Sequence, residues 1–151
     1  MKICFAASSG GHFEQLMRLE TLMSRNESFV LTERTPYSVN SRDHNVYYLE
    51  QINRRERGWK QKFLKVVYQS LKVYLKEKPD VVICTGVLAM IPMCLLCKLG
   101  RKKLIYIESY AKSKSPTETG RFLYRFADLF YVQWSSMLEY FPGAICLGGI
   151  Y

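Results

Sequence analysis

The chain has 151 residues, 48% of them hydrophobic and 23% charged, so it is long enough for one hydrophobic core and too short for a two-domain enzyme of ordinary size. These fractions match soluble globular proteins and exclude an intrinsically disordered or collagen-like chain. The net charge of +9 favours an anionic partner: nucleic acid, a phosphorylated substrate or an acidic membrane surface.

The amino-terminal part of the chain alternates strand and helix patterns. Residues 2–7 are a short apolar run that predicts a strand, and residues 12–24 carry apolar side chains at the spacing of one helix. The apolar run is too short for a signal peptide, so no export is predicted. Two further strands are predicted over residues 29–32 and 45–49, with a polar loop over residues 35–44.

The strongest helical pattern covers residues 59–76, where apolar residues recur in steps of three and four and lysines gather on the other side. Residues 53–78 contain nine basic and two acidic residues, a net +7, so most of the positive charge lies in this segment. The longest apolar stretch, residues 87–97, is about half the roughly 20 residues that a membrane-spanning helix needs. No membrane span is predicted.

The carboxyl-terminal part continues the alternation. Residues 80–84 and 103–107 each contain a continuous apolar run with β-branched side chains, typical of central parallel strands buried on both faces. Between them, residues 87–99 are predicted to form a helix that ends at Gly100. Further helices are predicted over residues 121–126 and 135–140, and further strands over residues 128–132 and 144–147.

This order of six or seven strands and intervening helices predicts an α/β fold. We expect residues 1–151 to form a single Rossmann-like domain, with a mostly parallel sheet flanked by helices. Such sheets bind ligands at the carboxyl ends of their strands, so the loops after strands one, four, five and six are predicted to carry the function.

The five cysteines are predicted to be reduced thiols packed in the core, because their number is odd and each has apolar neighbours. Cys94 and Cys97 form a CxxC pair, but a second pair is missing. No metal site and no cofactor are predicted.

The first functional loop contains Ser8, Ser9, Gly10 and Gly11, between the first strand and the first helix. Free backbone N–H groups and the helix dipole favour a phosphate there, and glycines allow it to approach closely. The loop matches neither the GxGxxG fingerprint nor a Walker motif. A tight turn that needs two glycines for packing explains the pattern equally well.

Two side chains at this edge are candidates for chemistry. His12 opens the helix, and an imidazole with a pKa near 6.5 suits a general base; the alternative is a histidine that only orients the loop. Glu108 directly follows the fifth strand, where its carboxylate can bind a sugar hydroxyl or stabilise an imidazolium; the alternative is a helix cap. Trp134, beside Gln133, is predicted to stack on a sugar or base, or to lie in a protein interface; the alternative is core packing.

Four segments together resemble a known family: ASSGGHFEQLMRL, PDVVICTG, the run IYIESYAKSKSPTETGRFLYRFADLFYVQW, and the closing LGGIY. They are similar to the bacterial Alg14-like polysaccharide biosynthesis proteins, which include subunits of split glycosyltransferases for capsule and exopolysaccharide synthesis. The similarity covers nearly the whole chain. It departs from the family after Thr85-Gly86, where Val87-Leu88-Ala89 replaces a glycine-rich continuation.

The resemblance implies that this chain forms one half of an enzyme. Family members resemble the acceptor-binding amino-terminal half of a GT-B glycosyltransferase, while a separate Alg13-like subunit binds the nucleotide sugar. The implied reaction moves a sugar from a UDP-linked donor onto an undecaprenyl-diphosphate-linked saccharide without a metal, and the chain alone is expected to be inactive.

The resemblance also implies roles for single residues. The loop from Ser8 to Gly11 receives the lipid-linked acceptor, His12 is the catalytic base and Glu108 assists it. Substrate binding is also assigned to Thr85, Gly86 and Ser109. The partner interface is assigned to Gln133, Trp134, Gly148, Gly149 and Tyr151.

Eukaryotic relatives carry a membrane anchor that this sequence lacks, so the resemblance implies peripheral contact with the cytoplasmic face of the cell membrane. Residues 59–76 and 87–97 are the candidates for this contact with an anionic membrane surface. Their alternatives are a solvated face and a buried core helix.

Two other functions are compatible with the sequence. One is a non-catalytic membrane scaffold that enhances a self-sufficient glycosyltransferase. The other is a basic nucleic-acid-binding module, which the charge suggests. Because the sequence has no nucleic-acid-reading motif, no nucleic-acid partner is predicted.

Overall fold

The computed structural model describes residues 1–36 and 44–151. Within them, seven strands form a sheet in the order β3-β2-β1-β4-β5-β6-β7, and every neighbouring pair is parallel. The predicted α/β fold is confirmed. The strands are β1 (Lys2–Ala6), β2 (Glu27–Glu33), β3 (Asn45–Leu49), β4 (Val81–Cys84), β5 (Lys103–Ile107), β6 (Leu129–Val132) and β7 (Ile145–Cys146).

Helices lie on both faces of this sheet. The α-helices are α1 (Gly11–Met17), α2 (Glu20–Ser24), α3 (Trp59–Glu77), α4 (Ile91–Leu99) and α5 (Glu118–Leu123), and two short 3₁₀ helices span Leu88–Met90 and Ser135–Glu139. The apolar residues of the strands alternate between two cores. Cys4, Val82 and Leu104 pack with residues of α3, α4 and α5, whereas Phe5 and Ile83 pack with residues of α1 and α2.

The single helix predicted over residues 12–24 is wrong, because two short helices replace it. The amides of Arg18 and Leu19 bond to carbonyls three residues back, and the Leu19 carbonyl then begins α2. The break allows Met23 to reach the core while Leu22 stays exposed. Burial of Met23 therefore outweighs the continuous helical spacing of the sequence.

The helix predicted over residues 87–99 begins later than expected. A 3₁₀ turn precedes α4, and Pro92 lies in the first turn of α4, where its missing N–H costs no helical hydrogen bond. Met93, Cys94 and Cys97 are fully buried, so the alternative of a core helix is confirmed over membrane contact for most of this segment.

Two other boundaries differ from the sequence prediction. The helix predicted over residues 121–126 begins at Glu118, because Thr117 caps it by accepting a hydrogen bond from the Gly120 amide at 2.9 Å. The predicted loop over residues 35–44 lies mostly outside the described residues. The five cysteines are free, and four of them are buried, as predicted.

Helix α3 exposes an apolar face as well as burying one. Val66 and Val73 are buried, but four residues in steps of three or four remain open to solvent. We call them the outer stripe of α3: Leu64, Tyr68, Leu71 and Leu75. The predicted division into one buried apolar side and one basic side is therefore only half right.

Candidate active site

The carboxyl ends of four strands bring the predicted functional loops together. Strands β1 and β4 are neighbours, and the chain departs from them toward opposite edges of the sheet. Parallel sheets bind ligands at such a switch point. The loop after β1 lies here beside the loops after β4, β5 and β6, which begin at Thr85, Glu108 and Gln133.

The glycine-rich loop contains two glycines with different structural demands. Gly10 has a φ of 78°, which favours glycine, and its carbonyl accepts the Phe13 and Glu14 amides at 2.9 and 3.0 Å to begin α1. Gly11 has no such φ, and an added Cβ there would meet no atom within 4 Å. Backbone conformation explains glycine at position 10, whereas neither conformation nor packing explains it at position 11.

His12 is held in place by the loop after β4. The Thr85 hydroxyl donates to the His12 carbonyl at 3.0 Å, and Thr85 is fully buried. The imidazole packs on Gly86, because a Cβ built there would lie 3.3 Å from His12 Cε1. Gly86 has a φ of 127°, so both conformation and space favour glycine there. The following residue, Val87, has a φ of 72°, which is strained for a β-branched side chain.

The environment of the imidazole keeps it neutral. Burial lowers the pKa of His12 below its ordinary value of 6.5, and a backbone interaction with Thr85 opposes part of this shift. His12 Nδ1 is buried, and no residue of the described chain gives it a hydrogen bond of ordinary geometry. A neutral imidazole beside an open cleft is suited to accepting a proton.

Glu108 uses both carboxylate oxygens inside the protein. Oε1 accepts from the Ser109 amide at 2.8 Å, and Oε2 accepts from the Thr117 hydroxyl at 3.0 Å and its amide at 3.3 Å. The side chain is fully buried, which raises the pKa of Glu108, while these hydrogen bonds lower it in part. These hydrogen bonds connect the loop after β5 to the start of α5. They therefore favour the alternative that Glu108 helps to cap a helix over a direct contact with substrate.

Two glutamines that the sequence did not single out as catalytic tie the loops together. Gln15 Nε2 and Gln133 Nε2 both donate to the Glu108 carbonyl, at 3.2 and 2.8 Å. Gln15 Oε1 accepts from the Tyr110 amide at 3.3 Å, and Gln133 Oε1 accepts from the Ile150 amide at 2.9 Å. Gln133 was predicted in the partner interface, but its side chain is buried in this network. The sequence feature that could have identified Gln15 is its position as a polar residue on the apolar face of the first helix.

The last residues of the chain close this edge of the sheet. The Tyr151 hydroxyl donates to the Gly11 carbonyl at 3.3 Å, and its ring contacts Tyr110 with 5.1 Å between ring centroids. Trp134 Nε1 donates to the Tyr110 carbonyl at 2.7 Å. The structure therefore brings Trp134, Gly149 and Tyr151 next to the His12 loop.

A cleft of about 400 Å³ lies at the centre of these elements. The described residues contain no group of three or more His, Cys, Asp or Glu side chains able to hold a metal ion. The cleft is lined by Gly11, His12, Gln15, Ser109, Tyr110, Ala111 and Tyr151.

Comparison with solved structures confirms the fold class. The chain superposes on Acinetobacter baumannii MurG with a TM-score of 0.67 and 18% identity, covering 87% of this chain and 40% of MurG. A complex of S. aureus MnaA with UDP gives a TM-score of 0.73 and 14% identity, covering 99% and 44% of the two chains. The chain thus has the glycosyltransferase-like fold of these proteins but spans less than half of their length.

Sequence comparisons reach closer relatives. The family profile "Oligosaccharide biosynthesis protein Alg14 like" matches residues 59–150. The rat protein named UDP-N-acetylglucosamine transferase subunit ALG14 is 30% identical, over 98% of this chain and 82% of the rat protein. The human subunit of the same name is 28% identical, over 99% and 83%. The resemblance drawn from the four sequence motifs is therefore confirmed, and this chain belongs to the Alg14-like family of oligosaccharide biosynthesis proteins.

Proposed function

We propose that this chain is the acceptor-binding subunit of a two-chain glycosyltransferase whose Alg13-like partner binds UDP-N-acetylglucosamine. The acceptor is a saccharide on a polyprenyl diphosphate, undecaprenyl diphosphate in a bacterial capsule or exopolysaccharide pathway. Residues 1–151 act as one domain in this complex. The name of the mammalian relatives, a UDP-N-acetylglucosamine transferase subunit, supports the donor.

One observation carries the proposal: His12 and the open Gly11 lie in a cleft on a fold that spans 40% of MurG. A GT-B enzyme builds its active site between two such domains, as the family resemblance implies. A fold of this span supplies one wall of that site, and we propose that the Alg13-like subunit supplies the other.

The proposed chemistry uses the neutral imidazole of His12. It accepts the proton of the acceptor hydroxyl while that oxygen attacks the anomeric carbon of the donor sugar. The bond from this carbon to the diphosphate breaks, and the electron pair leaves with UDP. Thr85 and Gly86 hold His12 in position, and Ser109 lines the cleft. The buried Glu108 carboxylate holds the loop after β5 in position through its hydrogen bonds to Ser109 and Thr117.

The glycine-rich loop provides a test of acceptor binding. Because nothing within 4 Å meets a Cβ at position 11, Gly11→Ala is expected to leave the free energy of unfolding unchanged. The added methyl group occupies space proposed for the diphosphate, so affinity for farnesyl diphosphate is expected to fall about tenfold or more, equal to 1.4 kcal/mol. Isothermal titration calorimetry and urea denaturation measure the two effects.

The neighbouring glycine is the matched control for this test. Gly10→Ala forces a left-handed φ on alanine, so it is expected to lower stability by about 1–2 kcal/mol. Unchanged farnesyl diphosphate affinity in a stable Gly11→Ala variant would show that the glycine-rich loop does not receive the acceptor.

An open apolar surface supports the proposed partner contact. Parallel sheets are normally covered on both faces. In the described part of the chain, the face beside α1 and α2 has a cleft of about 360 Å³ whose walls include Ile105, Ile107 and Tyr131. Residues 147–150 form its rim, and Leu147 is 81% exposed. We therefore assign partner docking to this cleft together with the predicted Gly148 and Gly149.

The outer stripe of α3 supports peripheral membrane contact. No helix of the described residues is long and apolar enough to cross a bilayer. Within this stripe, the side chain of Leu64 is 69% exposed and that of Leu75 is 59% exposed. The exposed Lys60 and Lys72 lie on the same helix. Apolar side chains flanked by lysines bind anionic membrane surfaces, with about 1 kcal/mol for each basic residue. We propose that this contact brings the chain to the cytoplasmic face of the cell membrane.

Reconstitution tests the proposed function. The chain, its Alg13-like partner and their mixture are each supplied with UDP-N-acetylglucosamine and a polyprenyl-diphosphate-linked saccharide in anionic vesicles. Transfer of label to the lipid is expected only in the mixture. Transfer by the partner alone would favour the scaffold alternative, and transfer by this chain alone would disprove the two-chain proposal.

A further inference from the structure

Tyr110 is an exposed aromatic residue in the His12 cleft for which no role has been assigned. It follows β5 by three residues and lines the cleft together with Gly11 and His12. Its side chain is 39% exposed. An aromatic face left in water at the wall of a cleft gains free energy when a ligand covers it.

The Tyr110 ring is fixed before any ligand arrives. The ring centroid of Trp134 lies 5.0 Å from that of Tyr110, and the Tyr151 ring meets it edge-on at 5.1 Å. The backbone is held at both ends, since the Tyr110 amide donates to Gln15 and the Tyr110 carbonyl accepts from Trp134. A ring with this many contacts loses little conformational entropy on binding.

Gly149 provides the space that the ring occupies. A Cβ at position 149 would lie 2.9 Å from Tyr110 Cε2 and 3.4 Å from Cδ2. Gly149 has no left-handed φ, so backbone conformation does not require glycine there. Its role is close packing against one aromatic ring, and a single methyl group is enough to displace that ring.

We propose that the exposed face of Tyr110 stacks on the pyranose ring of the lipid-linked acceptor, an inference that rests on the proposed function. A pyranose has an apolar face of C–H groups and a rim of hydroxyls. Stacking on Tyr110 covers the apolar face, and the same cleft presents the rim to His12. Trp134 and Tyr151 contact this ring and remain 37% and 56% exposed themselves.

Trp134 offers a direct readout. The chain has two tryptophans, Trp59 and Trp134, so Trp59→Phe leaves a single reporter beside Tyr110. Fluorescence titrations in this background compare farnesyl diphosphate with the same lipid carrying glucose, galactose or N-acetylglucosamine. The sugar-bearing lipids are expected to bind about three- to tenfold more tightly than the bare lipid.

Variants of the platform identify the residue responsible. Tyr110→Phe is expected to keep the sugar-dependent gain, because the ring remains, whereas Tyr110→Ala and Gly149→Ala are expected to lose it. Gly143→Ala is the matched control: its Cβ would lie 2.9 Å from the Tyr124 hydroxyl, away from the cleft, so the gain is expected to remain. Circular dichroism of each variant verifies that it is folded.

Each contrary outcome has a distinct meaning. If no sugar improves binding of the wild type, or if folded Tyr110→Ala keeps the full gain, the stacking proposal is wrong while acceptor binding stands. Binding of UDP alone that depends on Tyr110 would assign the ring to the donor, and loss of only partner affinity would assign it to the interface; both overturn the proposal. Failure of bare farnesyl diphosphate to bind would instead contradict the proposed function.

Discussion

Replacing His12 by alanine is expected to lower the transfer rate of the reconstituted two-chain enzyme by about 10²–10⁴-fold, the usual contribution of a general base. The free energy of unfolding and the affinity for the partner are expected to change little, because the Thr85 hydrogen bond uses the backbone carbonyl of His12 and survives the substitution. Initial rates with saturating donor and acceptor measure the loss.

His44→Ala is the matched control for this prediction. His44 precedes β3 and therefore lies toward the opposite edge of the sheet, so full activity is expected. Full activity of His12→Ala would leave only the alternative that the histidine orients the loop.

The pH dependence of the wild type adds a second readout for His12. A base acts in its neutral form, and burial lowers the pKa of this imidazole below 6.5. The value of kcat/KM is therefore expected to stay level above pH 6.5 and to fall only at more acidic pH, and this acid limb disappears in His12→Ala. If the acid limb of kcat/KM survives in His12→Ala, it reports the titration of a group other than His12.

Removing the carboxylate of Glu108 is expected to destabilise the fold. Glu108→Ala leaves three partly buried donors of Ser109 and Thr117 without their acceptor, which costs about 2–4 kcal/mol. Glu108→Gln keeps one acceptor oxygen but turns an amide NH₂ toward another donor, so a smaller cost of about 1–3 kcal/mol is expected. Urea denaturation followed by circular dichroism ranks the three proteins.

The exposed Glu139 serves as the control carboxylate, and Glu139→Gln is expected to change stability by less than about 0.5 kcal/mol. The opposite pattern for Glu108→Gln, namely unchanged stability with a large loss of kcat, would restore Glu108 to the catalytic role that the sequence predicted. Raised acceptor KM with little change in kcat agrees with a role in positioning the loop.

The sheet was predictable because its central strands are buried on both faces. Residues 81–84 and 104–107 are continuous apolar runs in the sequence, and both lie in strands of the structure. The break before α2 was not predictable, because the apolar spacing runs through Arg18 and Leu19 without a glycine or proline. The turn becomes visible only in the fold, where Met23 is buried in the same core as Val30 of β2.

The candidate site was predictable in position but not in contacts. Ligand loops follow from strand order, so His12, Thr85 and Glu108 could be placed at one edge from sequence alone. The orientation of Glu108 depends on Thr117, nine residues away, whose return to the carboxylate no local pattern encodes. Likewise, the positive φ of Val87 becomes visible only in the fold.

The hydrogen bond from Tyr151 to Gly11 joins two segments of the chain at the cleft that lie 140 residues apart in sequence. Residues 147–150 border the apolar cleft, and Tyr151 borders the His12 cleft. A fluorophore attached to Tyr151 would therefore disturb the glycine-rich loop, which lies 140 residues earlier in sequence. Met1 is 69% exposed and lies at the amino-terminal ends of the strands, so a fluorophore on this residue avoids the hydrogen bond between Tyr151 and Gly11.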